Sequence, residues 1–199
     1  MREIEDYQQY FDETFEKLSL SFSEFTEVEF EDCEFTDCNF SESTLKHCKF
    51  INCYFDRCNL SLIRIPQSRF FGVTFVESKL VGVDWTQAHW PSFNVDHELR
   101  FRNSILNDAS FFGLTLNELE LTECKLHDVD FREGDFKAAK MTFCDFTHSL
   151  FMRTDLRGAD LTESTQYHLH VLENQVEGAK FSRFEALNLL ESLGVELVD

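Results

Sequence analysis

From Phe15 onward, every fifth residue is large and apolar, in an unbroken series of sixteen that ends at Trp90. The phase then slips by one residue. A second unbroken series of thirteen runs from Phe101 to Leu161. In a chain that is 43% hydrophobic, such a run arises by chance with a probability of about 10⁻¹¹. Gln166 interrupts the series, and Val171, Val176 and Phe181 keep its phase. The residue two before each centre is small or aliphatic, Glu13 excepted, and the other three positions are mostly polar or charged. Two inward positions in every five match neither the helix period of about 3.6 nor the strand period of about 2. They describe a chain that turns a corner every five residues. This predicts an all-β solenoid with the centre and the residue two before it facing inward.

All seven cysteines, Cys33, Cys38, Cys48, Cys53, Cys58, Cys124 and Cys144, lie two before a centre. A small, readily buried residue suits that narrow place, so they read as packing residues rather than metal ligands. Their odd number, and a start (MREIEDYQQY) without an apolar leader segment, point to reduced thiols in a cytoplasmic protein.

The repeats FEDCEFTDCNF and DLRGADLTES resemble those of the pentapeptide-repeat family, over about residues 13–181. That resemblance implies a right-handed quadrilateral β-helix, four repeats to a coil. Some 168 residues then make about eight coils, and stacking at about 4.8 Å gives a rod of about 40 Å. Asn59–Ser92 is similar to the albicidin-resistance members. Leu187–Asp199 resembles the ends of the albicidin-resistance, microcin B17 immunity and Qnr-type quinolone-resistance members. Those relatives are DNA-mimicking dimers that act on DNA gyrase, so the resemblance implies gyrase as partner and a homodimer. The projecting loops of Gram-negative Qnr proteins have no counterpart beyond the short stretch 91–100, so loop-dependent behaviour is not implied.

Three segments follow. Residues 1–12 precede the repeats, and Ile4, Tyr7 and Phe11 are spaced for a short helix or turn capping the first coil. Residues 13–181 form the β-helix. In residues 182–199, Ser182 and Glu185 read as a capping box. Phe184, Leu187, Leu190 and Leu193 read as an apolar helix face, Gly194 as its stop, and Val195 to Val198 as a short strand. Such a short helix needs a packing partner. It can cap its own coil stack, and the resemblance adds a two-fold dimer interface through Phe184, Leu187, Leu190, Leu193, Val195 and Leu197.

The chain has 199 residues, with 37 acidic against 18 basic and a net charge of −19. That surface repels nucleic acid and anionic lipid. About 40 Å of duplex DNA carries about 24 charges, so the linear charge density is DNA-like. Acids concentrate at residues 12–42 and again at Glu118, Glu120, Glu123, Asp128, Asp130, Glu133 and Asp135. The second block is the expected contact for a basic partner. If the slip near residue 95 is a single insertion, Ile51, Phe71, Phe112 and Met152 line one outward column, covered in part or used for contact. The seven histidines are scattered, and His168 and His170 lack an obvious third ligand. With no phosphate loop and no cleft to perturb a carboxylate, no enzyme, cofactor or metal is expected. Two functions compete: a DNA mimic that protects gyrase from a toxin or antibiotic, and a scaffold for some other protein.

Overall fold

Three-residue strands recur at the apolar centres, and each pairs in parallel with the strand one coil further along. The structure, a computed structural model, describes residues 4–91, 99–196 and 198. It is a parallel β-solenoid of about eight coils with four faces and one short C-terminal helix. The first face carries Tyr10, Phe30, Phe50 and Phe70, and resumes with Leu116, Phe136 and Leu156. The second is a continuous nine-stranded sheet from Thr14–Glu16 to Lys180–Phe181. The third and fourth faces are held mainly by single bridges, for example Asn39 to Asn59 and Ser110 to Asp130.

The centres fill the core. On the second face, Phe35 stacks on Phe55 at 4.6 Å and Phe55 on Phe75 at 4.9 Å between ring centroids. Phe50 and Phe131 are buried. All seven cysteines are free and buried, and each thiol donates to backbone. Cys33 Sγ reaches Tyr10 O at 3.4 Å and Glu31 O at 3.3 Å. Ser68 uses the same place differently: its hydroxyl donates to Leu45 O and accepts from the Cys48 N–H. The position therefore takes serine as readily as cysteine, either satisfying a neighbouring carbonyl, while aliphatic residues such as Val28 and Ala139 fill it by packing alone.

Corners are made by the residue two after each centre, which adopts left-handed backbone. Asp12, Lys17, Glu27, Asp32 and Asp37 all have φ between 51° and 55°. That conformation costs a non-glycine residue about 1 kcal/mol or more. A hydrogen bond to the next coil offsets the cost, as in Asp12 N–H to Glu31 O at 3.0 Å and Lys17 N–H to Thr36 O at 2.9 Å.

Four expectations are corrected. First, partners lie 20 residues apart along the solenoid, but Thr74 pairs with Arg100, 26 residues on. The coil between them carries six extra residues, and six differs from one by a whole repeat. A five-residue period therefore registers it as a one-residue slip. Second, the strand Gln9–Phe11 pairs with Glu29–Glu31 and buries Tyr10. The ladder thus starts before residue 13, and Tyr7 and Phe11 face solvent. Third, Gln166 takes a corner (φ 58°), while Tyr167 and Leu169 enter the core. Leu169 bridges to Phe151, 18 residues away rather than 20.

Fourth, Ser182 and Glu185 do not cap the helix. Ser182 Oγ accepts from the Glu163 N–H (2.7 Å) and Glu185 Oε2 from the Gln166 N–H (3.2 Å). Most corner N–H groups elsewhere bond to the carbonyl 19 residues on. At the last coil, side-chain oxygens at those positions stand in for the missing carbonyls. The helix spans only Leu187–Glu191, with no side-chain cap. Gly194 (φ 73°) ends it as expected, and the Val195 N–H returns to Leu190 O at 3.3 Å. Val195, Glu196 and Val198 form no strand.

Candidate interaction surface

A corner residue projects from the rod because its neighbours turn away on both sides. Glu118, Glu123, Asp128 and Glu133 occupy four successive corners of one coil, with φ between 56° and 61°. Together they make a collar of carboxylates, one per corner. The same arrangement occurs near the N-terminus with Glu27, Asp32, Asp37 and Glu42. Following one corner from Asp37 to Glu123 crosses four coil steps, so the collars lie about 19 Å apart.

The acidic block at 118–135 therefore circles the rod and does not form a patch on one face. Its members differ in how free their charge is. Glu120 is bridged by Arg100 and Arg102. Asp130 pairs with Arg132 at 2.7 Å and Asp135 with Lys137 at 2.6 Å. Hydrogen bonding to Arg132 holds the Asp130 carboxyl below the usual carboxylate range. Glu133 pairs with Arg153, and Asp128 faces His148 at 3.6 Å. Among the described residues, no ion pair involves Glu118 or Glu123. Such surface pairs hold side chains in place more than they stabilise the fold.

The apolar column divides between two faces. Ile51 pairs with Phe71 on the first face, in line with exposed Phe11. Phe112 follows Phe111, which stacks on Trp85 and Phe131 on the fourth face. Met152 lies two coils further along that face, beyond Arg132, whose guanidinium sits 5.8 Å from the Phe112 ring centroid. The six extra residues before Arg100 cause the split.

At the C-terminal end, Leu189 packs against the core. Phe184, Leu187, Leu190, Leu193 and Val195 are exposed, and Leu197 lies outside the described residues. Fourteen of the acids and only two of the basic residues fall within residues 1–42, leaving 23 acids and 16 bases for the rest. Net charge is thus −12 at the N-terminal end and −7 over the remainder, an asymmetry that the sequence carries openly.

A square parallel β-solenoid with a five-residue side defines a class of protein. The family described as "Pentapeptide repeat region" matches residues 23–98 and 85–161, and the chain belongs to it. Three solved structures of QnrB1, a plasmid-mediated fluoroquinolone resistance protein, share its fold. A trypsin-treated variant matches with a TM-score of 0.73 at 18% identity, over 98% of this chain and 99% of that one. A second such variant matches at 0.64 and 22%, over 97% and 92%. Full-length QnrB1 matches at 0.55 and 20%, over 96% and 95%. No protein of curated function matches the sequence closely enough to count.

Proposed function

We propose that this protein binds the basic DNA-binding surface of DNA gyrase by DNA mimicry and protects the enzyme from a toxin or antibiotic. Duplex DNA presents phosphate around its whole circumference. The two carboxylate collars likewise place an acid at every corner of their coils. That arrangement is the observation that carries the proposal. Support comes from the net charge of −19 and from the end-to-end likeness to a fluoroquinolone resistance protein. The protein acts without catalysis, in the cytoplasm, as a homodimer joined through Phe184, Leu187, Leu190, Leu193, Val195 and Leu197. Among the described residues, no helix is long and apolar enough to cross a membrane.

Electrostatic matching of this kind raises the association rate and weakens with salt. The test is gyrase supercoiling with and without a fluoroquinolone, with the purified protein titrated in at several salt concentrations. Rescue at low protein, or inhibition at high protein, with either falling as salt rises, is expected. No effect on gyrase under any condition returns the protein to the scaffold class.

A further inference from the structure

We infer that the N-terminal edge of the solenoid is a docking strand for a cationic, extended segment of another polypeptide. The inference is independent of the gyrase reading. Thr14–Glu16 is the terminal strand of the nine-stranded sheet, and Gln9–Phe11 is the terminal strand of the first-face sheet. In the next coil, the Glu34 N–H donates back to Glu13 O, and Thr36 O accepts from Lys17. By the same register, Thr14 N–H and Glu16 O point away from the solenoid, in the pattern that a further parallel strand would meet.

The chain itself shows how such an edge is satisfied. On the fourth face, the Tyr7 N–H donates to Thr26 O and the Asp6 carboxylate accepts from the Thr26 N–H at 2.8 Å. The core beneath the first two faces is already closed by Tyr10 and Phe15, so an added strand would need only backbone pairing and outward side-chain contacts. Exposed parallel edges recruit strands unless something repels them.

Charge decides which strand. The 42 residues at this end carry a net charge of −12, which repels a second copy arriving by the same end. It attracts lysine and arginine. Beside the edge, Tyr7, Gln8, Gln9, Phe11, Glu27 and Glu29 line an open cleft of about 530 Å³. Exposed rings next to carboxylates are the groups that hold an alkylammonium or guanidinium.

The probe is a synthetic Lys–Thr alternating peptide of about six residues, an ordinary strand length. A second version carries N-methyl groups on alternate amides, which keeps its charge and blocks pairing. Binding to the full-length protein is read by fluorescence anisotropy, and amide exchange at Thr14 and Glu16 by NMR. The plain peptide should bind and slow exchange at those amides. The methylated peptide should bind about tenfold or more weakly, and Thr14→Pro, tolerated at an edge, should have the same effect. Equal binding of both peptides, or protection elsewhere, overturns the proposal. So does a Thr14-dependent change in the oligomer, which would make the occupant a second copy. The two-peptide comparison needs no variant, so misfolding of Thr14→Pro leaves it decisive.

Discussion

Phe111 and Phe131 lie one coil apart with ring centroids 5.4 Å apart and planes parallel to within 1°. Trp85 extends the stack below and Phe151 above, at 5.9 and 5.1 Å. Phe131 also meets Phe136 and Phe146 edge-on. Truncation of Phe131 therefore opens a cavity touched from three faces, and a rigid ladder has little freedom to close it. Phe131→Ala should cost about 3–5 kcal/mol, read as a lower urea midpoint. Phe50→Ala should behave alike. A change under about 1 kcal/mol would show that these rings do not carry the fold.

The cysteines lead to a chemical prediction. Burial pushes the Cys53 thiol up to about 12 and Cys48 up to about 11, so almost no thiolate exists at these two positions at pH 8. All seven thiols are buried, out of reach of a bulky reagent, so an aromatic disulfide reagent should titrate essentially none of them in the native protein and all seven in guanidinium. Serine already fills the equivalent place at Ser68 and Ser78. Cys53→Ser should therefore keep stability within about 1 kcal/mol, and reductant should leave the fold unchanged.

Much of this was legible because a five-residue repeat writes its inward positions directly into the chain. Phe50, Phe131 and all seven cysteines fall where the period puts them. What the period could not reveal is anything that leaves it intact or breaks it once. Of the six extra residues before Arg100, five make a whole repeat and vanish modulo five, leaving a slip of one, which placed Phe112 on the wrong face. Tyr167 replaces Gln166 because a local shift beats register when the alternative is a buried amide. Ser182 and Glu185 fit a capping box locally, but the last coil's open N–H groups use them first. The collars were present as a spacing of five among Glu118, Glu123, Asp128 and Glu133. They became a geometry only once that position was known to be a corner.

Asp155 gives a pH signature. It is 7% exposed and pairs with Arg157 at 2.6 Å and Lys137 at 3.2 Å. Hydrogen bonding to Arg157, helped by Lys137, lowers its carboxyl to about 2, from about 3.9 in an unfolded chain. A depressed carboxylate stabilises the fold fully above its unfolded value and loses that contribution as pH falls through the folded one. Asp155→Asn should therefore be less stable than wild type at pH 5 and above. The gap should close between about pH 4 and pH 2. Urea unfolding of both proteins across that range checks it, and a constant gap would contradict it.

The dimer can be tested without disturbing the solenoid. Removing residues 182–199 would also remove Ser182 and Glu185 from the last coil. Leu187 and Leu190 are better targets, being 44% and 38% exposed. Leu187→Asp with Leu190→Asp should leave the thermal transition nearly unchanged and bury two charges in any two-fold interface there. Sedimentation should show a wild-type dimer and a variant monomer at micromolar concentration. A wild-type monomer rejects the interface.

The two collars allow a matched test of DNA mimicry. Reversing Glu118, Glu123, Asp128 and Glu133 to Lys alters the collar nearer the C-terminus. Reversing Glu27, Asp32, Asp37 and Glu42 alters the one nearer the N-terminus by the same charge. Both sets are corners with left-handed backbone, a conformation that Lys17, Arg57 and Arg153 already adopt, so the coils should still form. If the rods join at their C-terminal ends, the 118–133 collar flanks the dimer centre, where a two-fold basic saddle would receive a duplex. Like charge facing like charge across an interface costs several kcal/mol. The 118–133 variant should therefore lose gyrase inhibition and protection, while the 27–42 variant keeps most of both and shows a weaker salt dependence. Circular dichroism and thermal melting confirm that each variant is folded. If the 27–42 variant is the inactive one, contact is made at the far end of the rod. If neither variant is affected, carboxylates do not carry the interaction.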